Sequence, residues 1–532
     1  MDMANASIPS SGVASTVILV ELGDVVLETS FKALTAIPIF TFKSIMHCCA
    51  TYAYQQGASS RPDYIRRLQA EFELSEAEIE CAFDQVHATY TINTQLLAFL
   101  KELKSVSKDI KIYAFAKIGK EEYDRNFHLP VDWAIFDHIF ASYKIGMRNP
   151  QFNCFHHVLD SINKPAHEIL FVDRDTDNVM TAASLGMKGV VFDGAVNFQQ
   201  TVRNMVFDPV ARGKAFLRRN KKTYKSISAN GVAIDENFAQ LMILEATGDD
   251  ELVEIDHHET TWNYFIGTPV LTQTVFPDDL DTTSLALMVL IQPDHIVHGV
   301  LDRMLEYVNE DGIILTFFTS FKNRVDPVVC VNVLGLFYRY GRGHQLSRTL
   351  EWLKDVLIRR AYMHGTAFYP TPEHFLFFFS RFLGFIKESD STLHDELAIL
   401  YIPRLKERLG TPCDSVGLSM RLIACNQFGI ADQIGLETLK ATQCEDGGWD
   451  MGLLYQYASK KLKIGNRGVS TALAVSAIES FPWPNGKSIG LSNGVLEDFS
   501  NGVSTNGAFE ILVPTLEYGM LSPRNEVQVA WA

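Results

Sequence analysis

The sequence predicts two folds in one chain, a parallel α/β sheet in the first half and an all-helical toroid or bundle in the second. Three observations support this. Short apolar runs rich in β-branched residues, separated by helical patterns, recur up to about residue 192. Beyond residue 233 such runs thin out, and apolar residues return every third or fourth position instead. The chain has 532 residues, too many for one hydrophobic core.

In chain order, the first expected strand is Thr16 to Val20, continuously apolar as in a strand buried on both faces. Ile110 to Phe115, Ile169 to Asp173 and Gly189 to Phe192 repeat its character. The stretch between the first two strands is helical in pattern, notably Arg61 to Phe83, and is too long for a simple crossover. It reads as an inserted cap.

The segments VELGDVVLET, IYAFAK, GMRNPQ, ILFVDRDTDNV and AASLGMKGVVF follow one another in order over residues 12–205. Together they resemble the haloacid dehalogenase superfamily, whose α/β (Rossmannoid) domain carries a helical cap. The resemblance implies a phosphoryl-transfer centre, and the departures from it are informative. The family's nucleophilic Asp stands here as Glu21, its acid/base Asp as Gly23, its Ser/Thr as Ala116 and its Lys as Asn149. Lys144 or Arg148 could replace that Lys in space. Only Asp173 keeps the family's acid, with Arg174 after it. In-line attack on phosphorus tolerates little displacement, and about 1 Å can cost roughly a hundredfold. The domain is therefore expected to be inactive as a phosphatase.

Residues 206–232 are basic and polar and read as a linker; residues 233–532 are then the second domain. There Val297, Val300, Leu301, Met304, Leu305 and Val308 form an amphipathic stripe, as do Leu350, Leu353, Val356 and Leu357. Further helices are expected at 375–386, 396–409, 416–426, 433–442 and 470–480. The last fifty residues, rich in Gly, Asn and Ser, read as irregular structure packed over the helices. Asp256-His257-His258-Glu259 reads as a polar turn, since adjacent ligands cannot all converge on one metal.

Asp278, Asp279 and Asp281 lie within four residues, followed by Thr282 and Thr283, just before an apolar run. Crowded carboxyls resist joint ionisation, so one can remain an acid near neutral pH. On spacing alone an acidic helix cap is the better explanation of the pattern. Its surroundings favour chemistry. DLDTT, within WNYFIGTPVLTQTVFPDDLDTTSLAL, together with GTAFYPTPEHFLFFFSRFL and QCEDGGWD before GNRGVSTALAVSAI, resembles the drimane-type sesquiterpene cyclases. These fuse a haloacid dehalogenase-like domain to an all-α class II terpene cyclase domain, an α-barrel. The resemblance implies that Asp281 is the general acid, tuned by Asp279 and oriented by Thr282 and Thr283. It also implies an aromatic lining, for which Trp262, Tyr264, Tyr369 and Trp449 stand first. QCEDGGWD is similar to the QW repeat, which braces helix ends.

The resemblance further implies a prenyl diphosphate substrate, farnesyl diphosphate, cyclised to a drimane skeleton with the diphosphate retained and magnesium alongside it. Arg467 and Lys461 head the candidates for holding the diphosphate, with Lys460, Lys463, Arg339, Arg342, Arg359 and Arg360 behind them; metal ligands are not identifiable. A separate phosphatase would then act on the product. The alternative is a bifunctional cyclase-phosphatase that releases the alcohol. A net charge of −16 argues against nucleic-acid binding. Eight cysteines without a CxxC pair, no signal-like start and no membrane-length apolar run give a cytoplasmic protein as the expectation.

Overall fold

A computed structural model describes residues 17–272, 275–457 and 461–482. Five parallel strands form the first sheet: β1 (Val17–Glu21), β2 (Lys111–Ala116), β3 (His138–Ala141), β4 (Ile169–Asp173) and β5 (Lys188–Val191). Their order is β3-β2-β1-β4-β5. Val17 to Glu21 are all buried, as a strand covered on both faces requires. The order reverses at β1, so the carboxyl ends of β1 and β4 flank the crevice where such sheets hold ligands. Strand β3 was not expected: His138–Ala141 is a short edge strand with too few residues for a legible pattern.

The cap consists of helices Ile39–Met46, Cys49–Gln55, Arg61–Phe72 and Glu76–His87 around a core of their own. A two-stranded stem pairs Leu27 with Ile92 and Glu28 with Thr91, joining the cap to the sheet domain.

In the second half six helices form a closed ring: α1 (Asn237–Thr247), α2 (Leu280–Val289), α3 (Pro327–Arg339), α4 (Pro372–Ser389), α5 (Ser415–Gln427) and α6 (Arg467–Glu479). Each packs on the next, and α6 returns to α1. The architecture is thus an α-barrel and not a simple bundle. Ring helices are covered on nearly every face, and Val328 to Phe337 are buried without a break. Helices Ser347–Ile358, Ser391–Lys406 and Gln433–Ala441 pack against α3, α4 and α5.

The linker expected at 206–232 is instead built into the barrel domain. Pro209–Arg219 is a helix against α6, with Val210, Gly213, Phe216 and Leu217 buried. Its basic residues lie outward and are engaged, Arg212 with the Cys444 carbonyl and Lys214 with Glu479. Strands Ser226–Ser228 and Ala233–Ile234 then join the hairpin Leu453–Tyr457/Leu462–Asn466 in an antiparallel sheet. The two halves meet where Asn204 Nδ2 donates to the carbonyls of Ala441 and Gln443, at 2.9 Å each. The expectation for the final fifty residues falls wholly outside the described residues. Among the described residues no helix is long and apolar enough to cross a membrane.

Candidate active site

The N-termini of the ring helices gather at one end. Glu236, Asp279, Asp326, Asp414 and Asn466 cap α1, α2, α3, α5 and α6 through side chains that accept first-turn backbone N–H groups. The intervening loops tie these ends together: the Phe368 amide donates to Asp326 at 3.2 Å, and the Gln456 amide donates to the Phe368 carbonyl at 2.7 Å.

Asp281 lies in the first turn of α2 and is 7% exposed. Asn332 Nδ2, on α3, donates to its Oδ1 at 2.6 Å, and the Tyr369 hydroxyl donates to its Oδ2. Arg381 on α4 donates to Asn332 Oδ1 at 2.9 Å. Because a guanidinium has no acceptor, this bond fixes the amide so that its NH₂ faces the acid. Burial raises Asp281 to about 6, against the pull of Tyr369 and Asn332, which favour its carboxylate. Asp279 accepts from the Thr282 amide at 2.6 Å through Oδ1, while its Oδ2 has no hydrogen-bond partner among the described residues. Burial lifts Asp279 to about 8, against the Thr282 bond and with a contribution from the nearby Asp281 charge.

The two threonines do not orient Asp281. Thr282 serves Asp279. Thr283 Oγ1 accepts from the Trp262 amide at 2.8 Å and so anchors the preceding loop to α2. The groups that do hold the acid, Tyr369, Asn332 and Arg381, sit 88, 51 and 100 residues downstream of it in sequence (369 − 281, 332 − 281, 381 − 281). No local pattern connects them, and of the three only Tyr369 was singled out, as lining.

Aromatic rings continue from Tyr369. Phe238 lies 6.3 Å from it and 6.5 Å from Tyr455; Tyr264 is 5.4 Å from Tyr455 and 6.3 Å from Phe276; Phe276, Phe317 and Phe368 follow at 5.6 and 5.9 Å. Trp262 is buried against His257 and His258, at 6.0 and 5.4 Å. Trp449 is not part of this wall. It packs with Val210, Leu436, Leu439 and Val475, and its Nε1 donates to the Leu439 carbonyl at 2.7 Å. Gln443 donates to the Pro209 and Gly447 carbonyls, at 2.9 and 2.8 Å, so the Gln and Trp of QCEDGGWD tie elements together.

Arg467 is bound to both oxygens of Asp446, at 2.7 and 2.8 Å, and lies over Phe216, which removes it from the diphosphate candidates. Arg339, Arg342, Arg359 and Arg360 are engaged by the Met288 carbonyl, Asp302, Asp355 and Glu407. Lys461 is exposed in the turn of the hairpin that carries Tyr455, whereas Lys460 lies outside the described residues. Arg324, not foreseen, lies 5.7 Å over the Phe368 ring at the end of the aromatic series.

In the first half a cavity of about 780 Å³ is lined by Phe31, Phe42, Phe83, Trp133, Glu21 and Asp173 among others. Glu21 Oε1 accepts from the Gly23 and Lys117 amides at 3.4 Å each, so its longer side chain occupies the amide pair at the strand ends. Asn149 Nδ2 donates to Glu21 Oε2 at 3.1 Å and to Asp173 Oδ2 at 3.4 Å. Burial raises both acids. Ala116, at the end of β2, offers no hydroxyl. Neither proposed stand-in for the missing Lys is free, as Lys144 donates to the Tyr123 hydroxyl and Arg148 stacks on Tyr52. Arg174 pairs with Glu28.

Residues 210–340 match the family model of the sesquiterpene cyclase astC-like C-terminal domain. Drimenol cyclase drtB of Aspergillus calidoustus is 38% identical over 474 residues, 89% of each chain. Sesquiterpene phosphatase astK of Aspergillus oryzae is 28% identical over 153 residues, 29% of this chain and 77% of its own. Solved structures similar to parts of the chain include a HAD family enzyme from Bacteroides thetaiotaomicron (17% identity, TM-score 0.29, 34% of this chain and 98% of that one). Another is the type II terpene cyclase MstE from Scytonema (12% identity, TM-score 0.38, 53% and 97%).

Proposed function

This chain belongs to the drimane-type sesquiterpene cyclases and is a class II enzyme, and we propose that its Asp281 protonates the distal alkene of farnesyl diphosphate to start closure to a bicyclic drimane-type diphosphate. The observation that carries this reading is one buried carboxyl held on both oxygens, by Asn332 and Tyr369. Asn332 donates to Oδ1 and Tyr369 to Oδ2, so the carboxyl is fixed in orientation and its own proton is left to the substrate. The two donors favour the carboxylate left behind, which makes the group a stronger acid than burial alone would leave it. The Asp281 charge in turn helps to keep Asp279 protonated.

Protonation leaves a tertiary cation, which the two internal alkenes attack in turn. Rings from Tyr369 to Phe368 can follow that charge without offering a strong nucleophile. The diphosphate would lie toward Arg324 and Lys461, at the end where the helix N-termini favour anions. Magnesium would accompany the diphosphate. Among the described residues no three His, Cys, Asp or Glu side chains gather to hold a metal ion, and no step is assigned to one.

Retention of the diphosphate rests on Glu21, Gly23, Ala116 and Asn149, which together leave the first half without a phosphatase's working groups. A separate phosphatase would then release the alcohol. A second reading, a bifunctional cyclase-phosphatase, is favoured by the name of the drimenol-forming relative and by the likeness of the first half to a sesquiterpene phosphatase. One experiment separates them. The purified protein is incubated with magnesium and prenyl diphosphates of ten, fifteen and twenty carbons, with and without added phosphatase. A drimane alcohol seen only after phosphatase treatment, and absent in Asp281→Ala, supports the first reading. Free alcohol without phosphatase supports the second. Undiminished cyclisation by Asp281→Ala would remove the mechanism.

A further inference from the structure

The cyclisation ends on a tertiary cation that must lose a proton if the product is an alkene. A second buried acid lies along the same aromatic wall. Glu236 is 1% exposed and stands at the start of α1, two residues before Phe238, whose ring lies 6.3 Å from Tyr369 and 6.5 Å from Tyr455. Its Oε2 accepts from the Ala239 amide at 2.8 Å, which completes its duty as a cap. Its Oε1 takes no part in the helix. That oxygen accepts from Ser226 Oγ at 2.6 Å and from the Tyr455 hydroxyl at 2.9 Å, and the Tyr455 oxygen in turn accepts from the Tyr264 hydroxyl. None of these partners is cationic. Asn466 Nδ2 steadies Ser226 from behind at 3.1 Å.

All hydroxyl protons in this series point toward Glu236. Tyr264 is half-buried, with its ring 4.8 Å from Phe265 and 6.3 Å from Phe276, at the far end from the carboxyl. Glu is an unusual cap beside Asp, Asn or Ser, and a cap alone needs neither the serine nor two phenols.

We propose, on the cyclase reading above, that Tyr264 is the terminal base of the cascade, with Tyr455 and Glu236 as the positioning pair that accepts its displaced proton. The C–H bond next to the tertiary cation breaks, and its electron pair becomes the new alkene. The proton goes to the Tyr264 oxygen, the Tyr264 hydroxyl proton passes to Tyr455, and the Tyr455 proton passes to Glu236 Oε1. Both phenols are regenerated, and the carboxylate becomes a carboxylic acid, so the positive charge on carbon and the negative charge on Glu236 cancel. Burial raises Glu236 to about 7, so it is ionised in a useful fraction of molecules at neutral pH and holds a proton once it receives one. The acid that starts the cascade and the base that ends it are then separate groups.

The test uses the full-length protein with farnesyl diphosphate and magnesium, with products analysed after phosphatase treatment. Variants are Tyr264→Phe, Tyr455→Phe and Glu236→Gln; the last keeps an oxygen for the Ala239 amide. The expected result is a fall of about tenfold or more in the share of alkene among the bicyclic products, with the tertiary alcohol from water capture taking its place. An unchanged alkene share in all three variants overturns the relay. So does a fall in total bicyclic product in the three with its composition unchanged, because packing would then be the network's only role. A wild-type product that is wholly the tertiary alcohol overturns it as well. Absence of any bicyclic product from the wild type removes the cyclase reading itself, and the relay with it.

Discussion

Asp279 uses one oxygen to cap α2 and buries the other without a partner, so its ionised form is costly. Burial raises its pKa from 3.8 to about 8, so between those values the folded protein binds a proton that the unfolded chain releases. Stability therefore falls as pH rises through that window. Asp279→Asn keeps a capping oxygen and removes the charge. It should raise the melting temperature at pH 8.5, by on the order of 2 kcal/mol of stability, and have little effect at pH 4. An equal shift at both pH values would contradict this. Asn332 acts on Asp281 in the opposite sense, by favouring the carboxylate. Asn332→Ala should therefore raise the pKa of Asp281, move the alkaline fall of kcat to higher pH and lower kcat by about tenfold or more. A pH profile that only scales downward would mean that Asn332 merely shapes the site. Asp281 was legible because its acidic neighbours lie within four residues. Asn332 and Arg381 were not, since the ring of helices alone brings them to it.

Helices read well where one face is buried. The stripe Val297, Val300, Leu301 and Met304 is buried as its spacing implies. Ring helices are buried nearly all round, so their periodicity fades, and the choice between barrel and bundle fades with it. The helix Pro209–Arg219 shows the reverse failure. Four basic side chains dominate its composition, yet they extend outward while Val210, Gly213, Phe216 and Leu217 form a stripe that was overlooked. Gly213 marks its closest approach to α6: a Cβ there would lie 2.5 Å from Val475 Cγ2 and 3.1 Å from Trp449 Cζ3. Gly213→Ala should cost about 1–3 kcal/mol through overpacking, seen as a lower denaturation midpoint, whereas a solvated linker would tolerate it without change. The antiparallel sheet escaped notice because two of its strands are only two and three residues long and lie far in sequence from the hairpin they join.

At the scale of the whole molecule the two halves were legible as two folds, since their periodicities differ; the joint between them was not. It rests on side chains that meet carbonyls, and such contacts leave no mark in a hydrophobic pattern. Asn204 reaches Ala441 and Gln443, Arg212 reaches Asn204 at 2.7 Å, and Gln200 donates to Gln443 at 3.1 Å. Asn204→Ala strips the centre of this joint and should cost on the order of 2 kcal/mol, seen in calorimetry as a first-half transition separating toward lower temperature. A single, unmoved transition would show that apolar contact alone couples the halves.

Glu21 has one more effect, set by the solution around the protein. Parallel sheets with free amides at their strand ends attract small oxyanions, and inorganic phosphate is a common competitor for such places. Here the amides of Gly23 and Lys117 already face a carboxyl of the same chain, joined to it by covalent bonds. Such an occupant is present at every ionic strength and cannot be diluted away. A small oxyanion such as phosphate would have to displace that carboxyl before it could bind these two amides.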